Sequence, residues 1–100
     1  MKTQALPKIV KIGAYQIPVE VVPNLIADHA ATGMYIPREK KILIEETSCF
    51  GQRESTLVHE ILEAISEIYE VECFKEDHHS LTVVAEAFYQ VLKENKGLIA

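Results

Sequence analysis

The pentapeptide His59-Glu60-Ile61-Leu62-Glu63 carries an imidazole and two carboxylates at a spacing that metal chemistry uses. Residues four apart share one face of an α-helix, so His59 and Glu63 can hold one ion between them. Glu60, offset by one position, can reach a water bound to that ion. The pattern is that of the H-E-x-x-H metal-binding helix with Glu at the second His position. A plainer alternative fits the same residues: His59, Glu63, Glu67 and Glu70 run down the side of the helix opposite its apolar stripe, as solvated residues do.

A catalytic zinc site takes three protein ligands and keeps a position open for water. The candidates for the third ligand are His78, His79 and Glu86. If the second helix reaches back to His78, that residue lies roughly 20° around the wheel from Ala85, beside the buried stripe, whereas His79 and Glu86 point away from it. His78 is the inward-facing choice, with His79 and Glu86 as the alternatives. The stretch from Val71 to Asp77 can span roughly 23 Å, enough to fold back to the level of Glu63. Two His and one Glu around Zn²⁺, or around another divalent ion, give a water that titrates near neutrality, with Glu60 as the general base that takes its proton and passes it to a leaving amine. Tyr69 or Tyr89 can polarise a carbonyl, though both also suit packing. His29 reads as a loop residue.

These side chains need a frame to hold them. Leu57, Val58, Ile61, Leu62, Ile65, Ile68 and Tyr69 fall on one side of a 3.6-residue wheel, so the motif sits in an amphipathic helix capped by Ser55 or an upstream polar residue. Val71–Asp77 is a connector. A second helix follows with Leu81, Val84, Ala85, Phe88, Val91 and Leu92 as its apolar side and Asp77 or Ser80 as its cap. Before the helices, Lys8–Ile12 and Tyr15–Val22 read as a hairpin around Gly13-Ala14, and Pro18 places the second strand at an edge or a bulge. Asn24–Thr32 is ambiguous: Leu25-Ile26-Ala27 and Ala30-Ala31 can make a short helical turn, and the segment reads as loop. Gly33–Pro37 and Lys41–Glu45 make a second hairpin around Arg38-Glu39-Lys40. The fold class is therefore α+β: a small, largely antiparallel sheet of about four strands with two C-terminal helices packed on it.

The chain has 100 residues, 48% hydrophobic and 25% charged, which suits one domain over residues 1–100 with one core. At this size a domain folds without a metal or disulfide, so a bound metal would serve function. The formal charge is −5, and between Glu54 and Asp77 eight carboxylates face one Lys, which argues against nucleic acid as a partner. The stripe Glu63-Glu67-Glu70 can attract a basic partner or be solvated helix face. No apolar run approaches the roughly 18 residues that cross a bilayer, and Met1–Pro7 lacks the marks of a signal peptide, so the expected location is cytoplasmic with no membrane partner. Cys49 and Cys73 flank a helix about 22 Å long and are expected to be reduced thiols.

The run Glu54-Ser55-Thr56-Leu57-Val58-His59-Glu60-Ile61-Leu62-Glu63-Ala64-Ile65, followed by Ala85-Glu86-Ala87-Phe88-Tyr89-Gln90-Val91-Leu92-Lys93-Glu94-Asn95, resembles the small zincin-like metallopeptidases encoded by phages and prophages. The Gly33–Glu45 hairpin is similar to the segment that precedes their active helix, so the resemblance covers about Lys8 to Asn95. Those proteins carry H-E-x-x-H and an acidic residue near the start of the next helix. Here Glu63 stands at the second His and His78-His79 at the acidic position, an exchange that keeps the ligand set. The resemblance implies a minimal zincin-like domain in a bacterial cytoplasm. It also implies hydrolysis of a peptide or protein substrate, with His59 as ligand and Glu60 as base; Glu63 and His78 follow from the exchange. The alternatives are a catalytically inactive zincin-like module of phage origin that binds a protein, and a metal-stabilised structural protein.

Overall fold

The structure is a computed structural model and describes residues 5–99. It is α+β, with four strands and four helices in the order β1 (Ile9–Ile12), β2 (Tyr15–Val22), α1 (Leu25–His29), β3 (Gly33–Ile36), β4 (Lys41–Glu45), α2 (Phe50–Ile68), α3 (Glu72–Glu76) and α4 (His78–Glu94). Both expected hairpins form, and the strand order is β1-β2-β4-β3. Two pairings, β1 with β2 and β3 with β4, are antiparallel; β2 and β4 are parallel, so the sheet is mixed. The crossover between the parallel strands is α1 followed by β3, which leaves β3 on an outer edge.

Pro18 lies in an interior strand, contrary to the edge or bulge expected of it. The β1 ladder ends at the pair Ile9 with Pro18, and the β4 ladder begins at Val19 with Ile42. The Val19 N–H donates to the Lys8 carbonyl at 2.8 Å. Antiparallel pairs alternate, so Ile9 and Pro18 form a non-hydrogen-bonded pair. The N–H that Pro18 lacks would point to the other side, one residue before the first pair of the β4 ladder, so no ladder bond is lost.

The segment read as loop holds α1. Asn24 (φ 69°) and Ala30 (φ 53°) bracket it in the left-handed region, and the Ala30 N–H closes its end on the Ile26 carbonyl. The buried Glu45 carboxylate fixes this turn to the end of β4, accepting the Ile26 N–H at 3.0 Å and both the N–H and hydroxyl of Thr47. These bonds hold its pKa below the usual carboxylate value, the Ile26 N–H first among them.

Ile12, Ile17, Val19, Ile42 and Ile44 from the sheet meet Leu57 and Ala64 of α2 in the core, with Ile61, Ile65 and Ile68 packed around them. α2 begins at Phe50, a full turn and more before the first periodic residue, because Gln52, Arg53, Glu54 and Ser55 show no apolar period although they sit readily in a helix. Ser55 is therefore inside the helix and not its cap; its hydroxyl donates to the Gln52 carbonyl. α4 packs on α2 and not on the sheet. Of its expected apolar side only Leu81 and Ala85 are buried, while Val84, Phe88, Val91 and Leu92 remain exposed. Both cysteines are free and exposed. No helix among the described residues is long and apolar enough to cross a membrane. Residues Met1–Gln4, part of the segment read for a signal peptide, lie outside the described residues.

Candidate metal centre

Three elements converge on the motif: α2 supplies His59, Glu60 and Glu63, α4 supplies His78 as its first residue, and β3 lies alongside. The connector is what brings His78 into place. α2 ends where Glu70 takes a left-handed conformation (φ 53°) and the Val71 N–H returns to the Ser66 carbonyl at 3.0 Å. The one-turn helix α3 then reverses the chain, and Asp77 caps α4 through the Ser80 N–H at 3.2 Å and the Ser80 hydroxyl at 2.7 Å. At the far end, Glu54 of α2 accepts from Tyr89 (3.0 Å) and Lys93 (2.8 Å), tying the two helices at that level too.

Within this frame one oxygen of Glu63 stands between the imidazoles. Its Oε2 lies 3.4 Å from His59 Nε2 and 2.8 Å from His78 Nε2. The two rings meet edge to face with centroids 5.2 Å apart. One ligand atom from each of the three residues falls within 4.8 Å of the others. Zinc bonds of about 2.0–2.2 Å in a tetrahedron set ligand atoms about 3.4 Å apart. The His59–Glu63 separation already has that value, and the His78–Glu63 separation would have to lengthen by about 0.6 Å. Two imidazoles and a carboxylate are a donor set that zinc and similar divalent ions prefer, and binding would draw the three atoms, now within 4.8 Å of one another, closer together. Glu63 and His59 are 31% and 22% exposed, so the face read as freely solvated is flanked by α4; His78, at 65%, is the candidate ligand nearest to water.

Glu60 lines the same cleft but is turned further toward the protein interior. It is 7% exposed and, with Thr56 and Ala64, lies on the buried side of α2. Burial pushes its pKa from 4.5 up to about 7, the nearby Glu63 charge adds to this, and the Tyr35 backbone pulls the other way. A carboxyl that titrates near neutrality is suited to accept and return a proton there.

Gly33 and Tyr35, both on β3, were not among the residues singled out from sequence, and both shape the centre. A Cβ on Gly33 would overlap the Thr56 methyl group and stand 3.3 Å from Glu60 Cγ, so glycine is what lets β3 approach α2 over the motif. The Tyr35 hydroxyl donates to Glu67 Oε1 at 2.7 Å, and Lys40 pairs with the same oxygen at 3.3 Å. Burial and Glu67 hold the Tyr35 phenol protonated well beyond its usual range. The only sequence signal for either was membership of the strand before the helix. The structure leaves the remaining candidates apart: His79 is an exposed residue of α4, His29 ends α1, Tyr69 sits against Gly13, and Tyr89 bonds Glu54.

Two cavities, of about 390 and 470 Å³, open on either side of the motif and share Gly33, His59 and Glu60 as lining. Together they form a cleft along β3, with Glu86 on the Gly33 side and Tyr35, Glu63, Phe74 and His78 on the other. Neither a protein-family model, nor a curated protein, nor a solved structure matches the chain.

Proposed function

We propose that this chain is a metal-dependent peptidase that binds one divalent ion, Zn²⁺ by ligand type, through His59, Glu63 and His78. The observation that carries the reading is the gathering of two imidazoles and a carboxylate from separate helices within 4.8 Å. The resemblance of the motif helix and of α4 to zincin-like metallopeptidases supports it. When bound, the ion supplies a Lewis acid and a water activated at neutral pH. Glu60 is the general base, taking a proton from the attacking water and delivering it to the leaving amine. Before an ion enters, Glu63 holds His59 and His78 in register, and Glu67 anchors the Tyr35 phenol at the wall of the cleft. β3 has an open edge along that cleft, so an extended peptide can add to it as a strand, with backbone hydrogen bonds setting its register beside Glu60. A cytoplasmic protein of phage or prophage origin is part of the same proposal, on the strength of composition and resemblance.

The test is Glu60→Gln, assayed on extended peptides with metal content measured in parallel. Loss of about 100-fold or more in cleavage with zinc retained is the expected result; full cleavage with zinc retained would remove Glu60 from the mechanism. A second reading, a zincin-like module that binds a protein without cutting it, is favoured by the exposed Val84, Phe88 and Val91 of α4. Partner binding unchanged by simultaneous His59→Ala and Glu60→Ala would support it.

A further inference from the structure

The two halves of the cleft differ in charge. Glu60 lies between the two halves and lines both; the other carboxylates of the His78 side already have partners, Glu63 the two imidazoles, and Glu67 the Tyr35 phenol and Lys40. That half also contains a cation of its own, Lys75. No Lys or Arg lines the half beside Gly33. Its neutral polar groups have partners: the Thr56 hydroxyl accepts from the Gln52 amide at 3.1 Å and meets the Thr32 hydroxyl at 3.4 Å, while the Ser55 and Thr82 hydroxyls donate to the Gln52 and His78 carbonyls. Ala30, Ala31, Gly33 and Ala85 contribute almost no side-chain bulk, which leaves about 390 Å³ open. Glu86 projects from α4 at its rim and takes part in none of the ion pairs among the described residues.

We infer that the cavity beside Gly33 receives a cationic side chain, lysine or arginine, of the bound peptide, with the Glu86 carboxylate as its counter-charge. The inference rests on the peptidase reading and gives it a substrate class: basic segments whose lysine or arginine lies close to the bond at Glu60. The long apolar stem of such a side chain fits between the alanines while its charged end reaches the rim. Glu86, a candidate metal ligand from sequence, is thereby a specificity residue. Because it is exposed, its contribution is that of a solvent-screened pair, about fivefold in preference.

The test uses zinc-loaded protein and short alanine-based peptides carrying Lys, Arg, Ala or Glu at successive positions. Cleavage is read by mass spectrometry on the parent, Glu86→Gln and Glu86→Lys chains. Binding is read by fluorescence anisotropy on Glu60→Gln, alone and combined with either Glu86 substitution. The expected result is an about fivefold preference for Lys or Arg at one position, lost in Glu86→Gln and turned toward Glu in Glu86→Lys. A preference that survives both substitutions, or no preference at all, overturns the inference while leaving the peptidase reading intact. Charge-selective binding through Glu86 without any cleavage upholds the inference and defeats the peptidase reading. Failure of every peptide to bind or be cut defeats both.

Discussion

Glu60 lies in a polar motif yet faces the protein interior, and its protonation couples the candidate site to folding. In the metal-free protein its folded-state pKa of about 7 exceeds the ordinary 4.5, so its protonated form favours the folded state. That stabilisation is complete below about pH 4.5 and is lost as pH rises through about 7. Glu60→Gln should flatten the decline in melting temperature across that window. An unchanged slope would mean that Glu60 is solvated. Gly33 sits over the same carboxylate: Gly33→Ala forces β3 and α2 apart and should cost about 1–3 kcal/mol, measurable by urea unfolding, because its Cβ meets Thr56 and Glu60. His59, Glu60 and Glu63 were legible in sequence because helical spacing is a local property. The proximity of Gly33 was not, since it depends on which strand lies across from the helix.

At the scale of elements, the connector determines whether the third candidate ligand reaches the other two. His78 is the first residue of α4, and Asp77 caps that helix through Ser80. Asp77→Ala should fray the first turn and weaken zinc binding about tenfold, while the melting temperature of the metal-free protein falls by only a few degrees; unchanged zinc affinity would show that His78 is held by other means. Glu70 adopts φ 53° where α2 ends, a conformation that glycine takes without steric cost. Glu70→Gly should therefore stabilise the fold by about 0.5–1 kcal/mol, checked by thermal unfolding. Strand alternation and the helical period revealed both hairpins and the two long helices. α1 showed only as an ambiguous turn and α3 not at all: each is a single turn, too short to show a period, and tertiary partners hold each in place. Glu45 anchors α1, and the reversal between α2 and α4 positions α3. The parallel pairing of β2 with β4 was hidden for a similar reason, since two hairpins in succession do not state how they join.

Across the whole molecule, the ion would bridge α2 and α4, whose remaining joint rests on Leu81, Ala85 and the Glu54–Tyr89–Lys93 cluster. A ligand that binds only the folded state at 100 times its Kd adds about 2.7 kcal/mol, which for a chain of this size raises the melting temperature by about 10 °C or more. Zinc should have this effect on the parent chain and none on Glu63→Ala. The exposed apolar side of α4 shows where sequence reasoning ran out: its residues have the period of a buried helix face, yet α2 covers only Leu81 and Ala85 among them. The most direct measurement is metal content by elemental mass spectrometry on protein purified without chelator or metal-affinity tag, with Glu63→Ala and His78→Ala alongside. Near-stoichiometric zinc is expected in the parent, with its loss in both variants. No metal in the parent after incubation with zinc, or equal metal in all three proteins, would contradict the proposed metal site.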